Sequence, residues 1–562
     1  MKLRRIVSCM MALLLVAGMP LAAFAEEYDL SVGSVEVNAS ETGQTVSQVN
    51  GVQNHTETTP TVITQSNSST PTENTVTITA TENATANVTI QDVNIDTGTS
   101  DGAAIQTTGD GDVTIELDGS NTVQSGDYHA GVEKYNGGNL TITDENGTSG
   151  SLKATGGGRG AGIGNGFSAD ASNITISGSA EVIAKGGGSG AGIGGGEFGS
   201  GTNIIITDSA KVDATGGDRG SGIGGGYYGS GNNITITDSA EVTAKGDNYG
   251  SGIGGGYNGS GSYITISGSA EVTAKGGDAG SGIGGGARGF GSNITVSGDA
   301  QVKAQGGIES DGYGAGAAIG DGGKYNYGSE ADPGDDVTPN IEGLNEGWIA
   351  KYAPGATMDT DAPNSVAYMD DGQLTTSSNA VPILKKEPTC TGEGNKAGFE
   401  INGKRFAAET IPATGHSFTN YISDNNATYD ADGTKTAKCD HCDATDTIPD
   451  PGSKLVREAP LYRVLGQDGK ALACKEARSS GVLTITVEAD FATLTGSFSG
   501  MKTLKAQGVD TIVFVTGGAT STFAIADLLA QGSSTDTYAL THVGSAVTLT
   551  LGNGIDISSI LK

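Results

Sequence analysis

The sequence predicts a mainly β protein, a right-handed parallel β-helix solenoid with about 30 residues per coil, followed by two small C-terminal modules. Three observations predict this fold. An exact 30-residue period runs through residues 156–305, each unit contains short β-branched segments, and 94 of the 562 residues are glycine. A period held over five units is typical of a stacked repeat rather than a linker. Glycine is then needed at tight corners and does not indicate disorder.

Five columns of aliphatic residues carry the period. In residues 221–246, SGIGGGYYGSGNNITITDSAEVTAKG, the segments NITIT and EVTA alternate apolar and polar residues as half-buried strands do. We expect the columns to face inward, with one Ile of each SGIGGG corner in the core. The columns begin at Ile163, Ile174, Ile176, Val182 and Ala184, and each recurs every 30 residues.

The N-terminus and the charge predict an exported chain. Lys2 and Arg4 precede an apolar run that ends in the cleavage motif AFA, so residues 1–25 are interpreted as a signal peptide. A net charge of −33 argues against nucleic acid and anionic membrane surfaces as partners. No later segment is predicted to span a membrane. We expect the mature chain to be secreted or attached non-covalently to the cell surface.

Composition divides the mature chain into four parts. The tail alternates strand-like segments such as GVLTITVEAD with segments of helical spacing at residues 489–508 and 521–532, which predicts a small α+β domain. The predicted order is a β-helix at 26–345, a connector at 346–380, a Cys/His module at 381–452 and the α+β domain at 453–562.

The repeated GSGIGGG and NITITDSAEVTAKGG units resemble those of secreted right-handed parallel β-helix proteins of Gram-positive bacteria. The resemblance implies the pectin lyase-like β-helix architecture and an adhesin-like, carbohydrate-binding role, although this fold also carries lyases, hydrolases and passive stalks. Residues 388–418 and 427–452 resemble two degenerate copies of a cysteine-containing module of bacterial surface proteins, and the tail resembles C-terminal modules of similar secreted proteins.

Aromatic residues recur beside the glycine corner and form the candidate ligand-binding site. Rings exposed at coil spacing could stack on successive sugars, whereas the alternative is that each ring only covers its own glycine-rich turn. The five residues are Phe167, Phe198, Tyr227, Tyr228 and Tyr257.

The regular units contain no cluster typical of catalysis. The repeated G-x-G-x-x-G matches are not followed by a helix, so they indicate structural corners rather than a nucleotide site. Only the irregular coils offer groups of charged residues, and charged loop residues are usually just solvated. We therefore assign no catalytic residue, and a non-enzymatic role is favoured. The two groups are Asp127, His129, Glu133 and Lys134, and Asp311, Asp321 and Lys324.

Two interpretations stand for the cysteines of the 381–452 module. Cys390, His416, Cys439 and Cys442 offer a Cys3His ligand set for a structural zinc ion, with His441 as a rival ligand. An exported chain meets an oxidising environment, in which these thiols could instead form a disulfide.

Three functions follow from the sequence. The first is a non-enzymatic, adhesin-like β-helix that binds a polysaccharide, a host glycan or another cell-surface partner. The second is a polysaccharide-active lyase or hydrolase, and the third is a passive spacer.

Overall fold

The computed structural model describes residues 26–57, 60–326, 332–370, 372–455, 460–552 and 554–562. The predicted signal peptide, residues 1–25, lies outside the described residues. The chain forms two compact units, Met1–Gly415 and His416–Lys562. Among the helices of the described part, none has the length and apolar character needed to cross a membrane.

The first unit is a parallel β-solenoid, which confirms the predicted fold class. Each regular coil gives one strand to each of three faces, and the strand of one coil pairs in parallel with the equivalent strand of the next. The right-handed sense of the coil stays a prediction.

In the five regular coils, face A contains six-residue strands that include N-I-T-I and similar segments. Its strands are Glu27–Asp29, Thr61–Thr64, Thr85–Gln91, the first part of Asp112–Gln124, Leu140–Thr143, Ala171–Ile176, Gly201–Ile206, Gly231–Ile236, Gly261–Ile266 and Gly291–Val296. Face B contains the short Ile-Gly strands and their longer N-terminal equivalents. Its parallel strands are Val35–Ser40, Val76–Ala80, Ile105–Gly109, Val132–Lys134, Ile163–Gly164, Ile193–Gly194, Ile223–Gly224, Ile253–Gly254, Ile283–Gly284 and Ile319–Gly320.

Face C contains the E-V-T-A-K strands and their equivalents. Its parallel strands are Asn94–Asp96, the second part of Asp112–Gln124, Gly150–Thr155, Glu181–Lys185, Lys211–Thr215, Glu241–Lys245, Glu271–Lys275, Gln301–Gln305 and Trp348–Tyr352. The single long strand Asp112–Gln124 serves two faces because its two halves pair with different neighbours.

Identical residues stack on one another in the core of the solenoid. Ile223 pairs with Ile253 on face B, and Val242 pairs with Val272 on face C. All five predicted aliphatic columns are buried, which confirms their inward orientation. In Glu241–Lys245 the outward residues Glu241 and Lys245 are exposed while Val242 and Ala244 are buried, as the pleat of a strand requires.

The corners need glycine because the backbones of neighbouring coils approach closely. A Cβ atom on Gly229 would lie 1.8 Å from the carbonyl oxygen of Gly199 in the preceding coil. Gly224 has a φ of 130°, a conformation that side chains with a Cβ rarely adopt. Glycine is therefore required for the ordered corners of this chain, which are fixed turns rather than flexible links.

Antiparallel strands close both ends of the solenoid. At the N-terminal end, Val35–Ser40 pairs with Gly43–Gln48, which in turn pairs with His55–Glu57. At the other end, Trp348–Tyr352 pairs in parallel with Gln301–Gln305 and continues into the antiparallel strands Ser365–Asp370 and Gln373–Ser377.

The segment 346–380, for which the sequence predicts a connector, therefore extends the sheet. Trp348 packs with Tyr368, Phe399 and Phe406 in a separate aromatic core, which explains why this segment is ordered. The remaining strands of this unit are short and antiparallel. They are Val381–Ile383, Gly394–Asn395, Gly398–Ile401, Lys404–Phe406 and Thr410–Ile411.

The second unit begins with a three-stranded antiparallel sheet and continues as an α+β fold. The sheet consists of Ile422–Ser423, Gly433–Lys438 and Thr445–Asp450. Two four-stranded sheets follow, with the helices α1 (Phe498–Ala506) and α2 (Ile525–Leu529) and a 3-10 turn at Ser558–Ile560. The eight strands are Tyr462–Leu465, Lys475–Ser479, Val482–Thr486, Phe491–Ser497, Thr511–Val515, Thr520–Ala524, Thr537–Val543 and Ala546–Leu551.

The two predicted helical segments of the tail are only half helical. The first part of residues 489–508 is the strand Phe491–Ser497, which pairs with Thr537–Val543 and buries alternate residues. Helix α1 begins after Ser497, whose hydroxyl accepts a hydrogen bond from the Gly500 N–H at 3.0 Å. Residues 521–532 likewise begin with a strand and end with α2. Pairing with neighbouring strands overrides the helical spacing.

Candidate functional site

Five equivalent residues of the glycine corner, one per coil, have a left-handed backbone. They follow the Ile-Gly strand of face B, and their φ angles lie between 57° and 65°. They are Ser168, Phe198, Tyr228, Asn258 and Arg288. The turn therefore points successive side chains of this column away from the same corner of the solenoid.

Phe198 and Tyr228 are the two aromatic members of this column, and both have a strained backbone. A left-handed backbone costs about 1–2 kcal/mol for residues other than glycine and is best tolerated by Asn and Asp. Asn258 shows that the same turn accepts a residue with little strain. Phe198 and Tyr228 remain 48% and 46% exposed, so burial of their rings offsets little of this cost. Aromatic rings therefore occupy two positions at which the backbone conformation favours Gly, Asn or Asp.

The aromatic side chains of successive coils form one continuous ladder, called here the aromatic stripe. Centroids of neighbouring rings lie 4.2–6.1 Å apart, within the usual range for aromatic pairs. The ladder contains Tyr128, Phe167, Phe198, Tyr227, Tyr228, Tyr257, Tyr249, Tyr313 and Tyr325. The structure thus brings together all five aromatic residues that the sequence predicts.

All three arginines of residues 26–345 lie against this stripe. The Arg159 guanidinium lies 5.2 Å and 5.0 Å from the ring centroids of Tyr128 and Phe167. Arg219 lies 5.2 Å from Tyr227, and Arg288 stacks near the far end of the stripe. Guanidinium groups held this way keep N–H donors available at the edge of the rings.

Acidic groups and hydroxyls accompany the arginines. Arg159 Nε lies 3.5 Å from a carboxylate oxygen of Glu197, and Arg219 Nε lies 3.7 Å from that of Asp218. Partial burial and the neighbouring Tyr228 raise the pKa of Tyr227, so its hydroxyl stays neutral at physiological pH. The stripe therefore combines apolar ring faces with hydrogen-bond donors and acceptors at their edges.

The two halves of the stripe differ in burial. Tyr128, Phe198 and Tyr228 are exposed, whereas Tyr313 is buried and joins a small core with Ala279 and Ala287. Tyr257 packs against that core, and its hydroxyl lies 2.8 Å from the Tyr313 hydroxyl. The rings at the C-terminal end of the stripe therefore pack within the fold. In the N-terminal half, three of the five rings are exposed to solvent, and those of Phe167 and Tyr227 are half-buried.

His129, Glu133 and Lys134 of the first irregular coil are engaged in the fold, whereas Asp127 is exposed. Glu133 is fully buried, and its carboxylate lies 2.8 Å from His129 Nδ1. Lys134 donates hydrogen bonds to the carbonyl oxygens of Asn136 and Gly138 at 2.6 Å and 2.8 Å. Burial lowers the pKa of Lys134 to about 8. These contacts satisfy buried polar groups, as protein interiors require.

The second irregular group is likewise engaged. Asp311 accepts a hydrogen bond from the Tyr249 hydroxyl at 2.6 Å, and Asp321 accepts one from the Gly291 N–H at 2.9 Å. Lys324 Nζ lies 2.7 Å from a carboxylate oxygen of Asp335. Each of these three residues has a structural contact that accounts for its charge.

A charged groove of about 630 Å³ runs along the outer surface of face C. Its lining includes Glu181, Lys211, Glu241 and Glu271, and Lys211 Nζ lies 3.7 Å from a carboxylate oxygen of Glu181. Exposed ion pairs of this kind contribute little to stability and keep a sheet surface soluble.

A smaller cavity of about 220 Å³ shares Glu271 and Thr273 with this groove. Lys303, Lys396 and Glu409 also line it, and Lys396 Nζ lies 4.0 Å from the Glu271 carboxylate. Burial raises the pKa of Glu271 and lowers that of Lys303. A raised carboxyl pKa and a lowered amine pKa both favour the uncharged form, and such groups are suited to proton transfer. The sequence pattern did not reveal this pair.

Three of the four residues predicted to bind zinc lie together in the second unit. The ligand atoms of His416, Cys439 and Cys442 lie within 4.8 Å of one another, and Cys442 Sγ lies 3.3 Å from His416 Nδ1. The backbone N–H of His441 and the His416 side chain lower the pKa of Cys439 to about 6. Cys390 belongs to the first unit and is buried there.

Sequence reasoning missed four rings and the arginines of the stripe. Tyr128, Tyr249, Tyr313 and Tyr325 lie outside the two columns that the period defines, so alignment of the repeats did not reveal them. The arginines carried a usable signal, because in residues 26–345 this residue type occurs only in the glycine-rich corner segments.

Comparison of the chain with protein-family models, with curated proteins and with solved structures found no match. The case for function therefore depends on the geometry of the sites described above.

Proposed function

We propose that the protein binds glycans through the exposed N-terminal half of the aromatic stripe, as a secreted or surface-attached, adhesin-like protein. In this role the solenoid is a non-enzymatic scaffold that displays rings at regular intervals. The observation that carries the proposal is that the exposed rings of Phe198 and Tyr228 belong to a continuous ladder of rings from successive coils.

The chemistry of the stripe fits a sugar polymer. Aromatic faces stack on the apolar C–H faces of sugar rings, and the stacked Arg159 and Arg219 offer N–H donors to hydroxyl or carboxylate oxygens. Neighbouring coils repeat at about the 4.8 Å spacing of adjacent strands. A linear glycan could therefore contact rings of several coils at once, and many weak contacts would add to a useful affinity.

Location supports the same partner. A signal peptide at residues 1–25, as the sequence predicts, would direct the chain to the outside of the cell, and polysaccharides and host glycans are abundant there. The high negative charge disfavours nucleic acid and anionic membranes as alternative ligands.

The test is a glycan array probed with the mature chain, followed by affinity measurements on the best ligand. In the variant F198N/Y228N, Asn keeps the left-handed turn, as it does at position 258. Loss of two stacked rings should weaken binding roughly 5- to 100-fold, because each ring contributes about 0.5–1.5 kcal/mol. Thermal unfolding checks that the fold is unchanged.

Tyr263 provides the matched control. It is 63% exposed with a φ of 55°, but it lies on face A in a column where most other coils have Asn. The variant Y263N should bind as the parent does. Equal weakening by Y263N, or full binding by F198N/Y228N, would remove the stripe from the binding surface. An array without any bound glycan would favour the spacer function.

A second candidate is a polysaccharide-active enzyme, favoured by the shifted pKa values of Glu271 and Lys303 beside the face C groove. Incubation with the polysaccharides that bind on the array, followed by measurement of reducing ends, tests it. If the parent chain releases reducing ends and the E271Q variant does not, catalysis at this cavity is supported.

A further inference from the structure

The three-stranded sheet of the second unit has almost no hydrophobic core. All of residues 416–455 are described, and Ala437 and Cys439 are the only hydrophobic side chains buried among them. Ile422, in one of the strands, is 74% exposed. A sheet this small needs a metal ion or a covalent cross-link to stay folded, because it buries too little apolar surface.

Ligand atoms converge where such a cross-link would act. Sγ of Cys439, Sγ of Cys442 and a ring nitrogen of His416 lie within 4.8 Å of one another. In a tetrahedral zinc site with Zn–S bonds of about 2.3 Å, two sulfur ligands lie about 3.8 Å apart. The observed grouping therefore needs only a small contraction around the ion.

The surrounding hydrogen bonds hold the His416 segment against the C-x-x-C turn. The Asp440 carboxylate accepts hydrogen bonds from the hydroxyls of Ser417 at 2.8 Å and Thr419 at 2.9 Å. The backbone N–H of Asp440 also donates to the Ser417 carbonyl oxygen at 2.9 Å. Such outer contacts orient ligands before a metal binds.

We propose that His416, Cys439 and Cys442 bind a structural zinc ion that holds the three-stranded sheet of the second unit together. Two thiolates and one imidazole form a donor set that zinc favours over calcium or magnesium, which bind oxygen ligands. A tetrahedral site has one more position, which the sequence analysis assigns to Cys390. This proposal is independent of glycan binding.

The experiment measures zinc in the full mature chain. The chain is produced in a reducing cytosol and purified without chelator, and metal content is determined by elemental analysis. We expect about one zinc per chain, and at least a tenfold loss of zinc in each of C439S and C442S. Cobalt substitution should give thiolate-to-metal charge-transfer absorption in the parent that C442S lacks. Chelation should open residues 416–450 to proteolysis.

Two matched controls keep the ligand assignment testable. His441 lies beside the site but outside the ligand group, and Cys474 is a cysteine elsewhere in the same unit. H441Q and C474S should keep parental zinc. A zinc loss in H441Q as large as in C442S would overturn the assignment of ligands.

Two further outcomes would overturn the site itself. One is a reduced parent chain that takes up no added zinc, and the other is zinc retained in both C439S and C442S. If the reduced chain binds no zinc and mass spectrometry of exported protein finds a disulfide among these cysteines, the sheet is held covalently. C390S tests the fourth ligand, since retained zinc there would overturn that part of the sequence prediction.

Discussion

The regular coils of the solenoid and the three-stranded sheet of residues 416–450 are both built from short strands with many polar residues. They differ in the number of side chains that are buried beneath those strands. Each regular coil buries a full set of aliphatic side chains that stack on identical residues of the next coil. The three-stranded sheet buries only Ala437 and Cys439. Strands of similar composition are thus stabilised by a repeated core in the solenoid, whereas the small sheet depends on the zinc ion that we propose.

The largest expected effect breaks the core of one regular coil. Ile223 is fully buried in face B, so Ile223→Asp places an unpaired charge in an apolar environment. We expect a loss of about 3–5 kcal/mol in the free energy of unfolding, measured by chemical denaturation. The outward Lys245→Ala is the control and should change stability by less than about 0.5 kcal/mol. Equal tolerance at both positions would contradict the inward and outward assignment.

A smaller effect is expected where the coils touch through backbone. A methyl group on Gly229 would meet the Gly199 carbonyl oxygen at 1.8 Å, so Gly229→Ala forces neighbouring coils apart. We expect destabilisation of about 1–3 kcal/mol, typical of overpacking, and a lower midpoint of thermal unfolding. Gly102→Ala is the matched control, because a methyl group there meets no atom within 4 Å. A neutral Gly229→Ala would mean that the corners are looser than the structure shows.

The smallest effect is expected in the three-stranded sheet, where the same substitution can be compared with the one in the solenoid core. Ile422→Asp makes the same chemical change as Ile223→Asp, but Ile422 is 74% exposed. We expect a change below about 0.5 kcal/mol in the unfolding of the second unit. Hydrogen exchange of residues 416–450 is the readout specific to this sheet. A loss of protection as large as that caused by removal of zinc would show that a hydrophobic contact stabilises the sheet after all.

Much of the solenoid could be predicted because the same buried residues recur in every regular coil. The columns headed by Ile163 and Val182 recur with the coil period, and a residue that recurs in a buried column is visible without any structure. The tail was predicted less well, since the apolar spacing of residues 489–508 suits a helix while pairing with Thr537–Val543 makes its first part a strand.

In the candidate sites too, some features could be predicted from the sequence and others could not. Phe198 and Tyr228 were visible as members of neighbouring columns, but their left-handed backbone and the stacking of Arg219 depend on the three-dimensional turn. The convergence of Cys439 and Cys442 with His416 follows a known ligand spacing and was predicted. The pair Glu271 and Lys303 was not, because its altered pKa values arise from burial that adjacent segments create.

The stacking of identical residues in face B has a consequence for the evolution of the chain. Because Ile223–Gly224 meets Ile253–Gly254 as it would meet any other Ile-Gly strand, removal or duplication of one whole period leaves every new junction chemically equivalent to an old one. The length of the solenoid, and with it the number of rings in the aromatic stripe, can thus be edited in whole coils without redesign of the core.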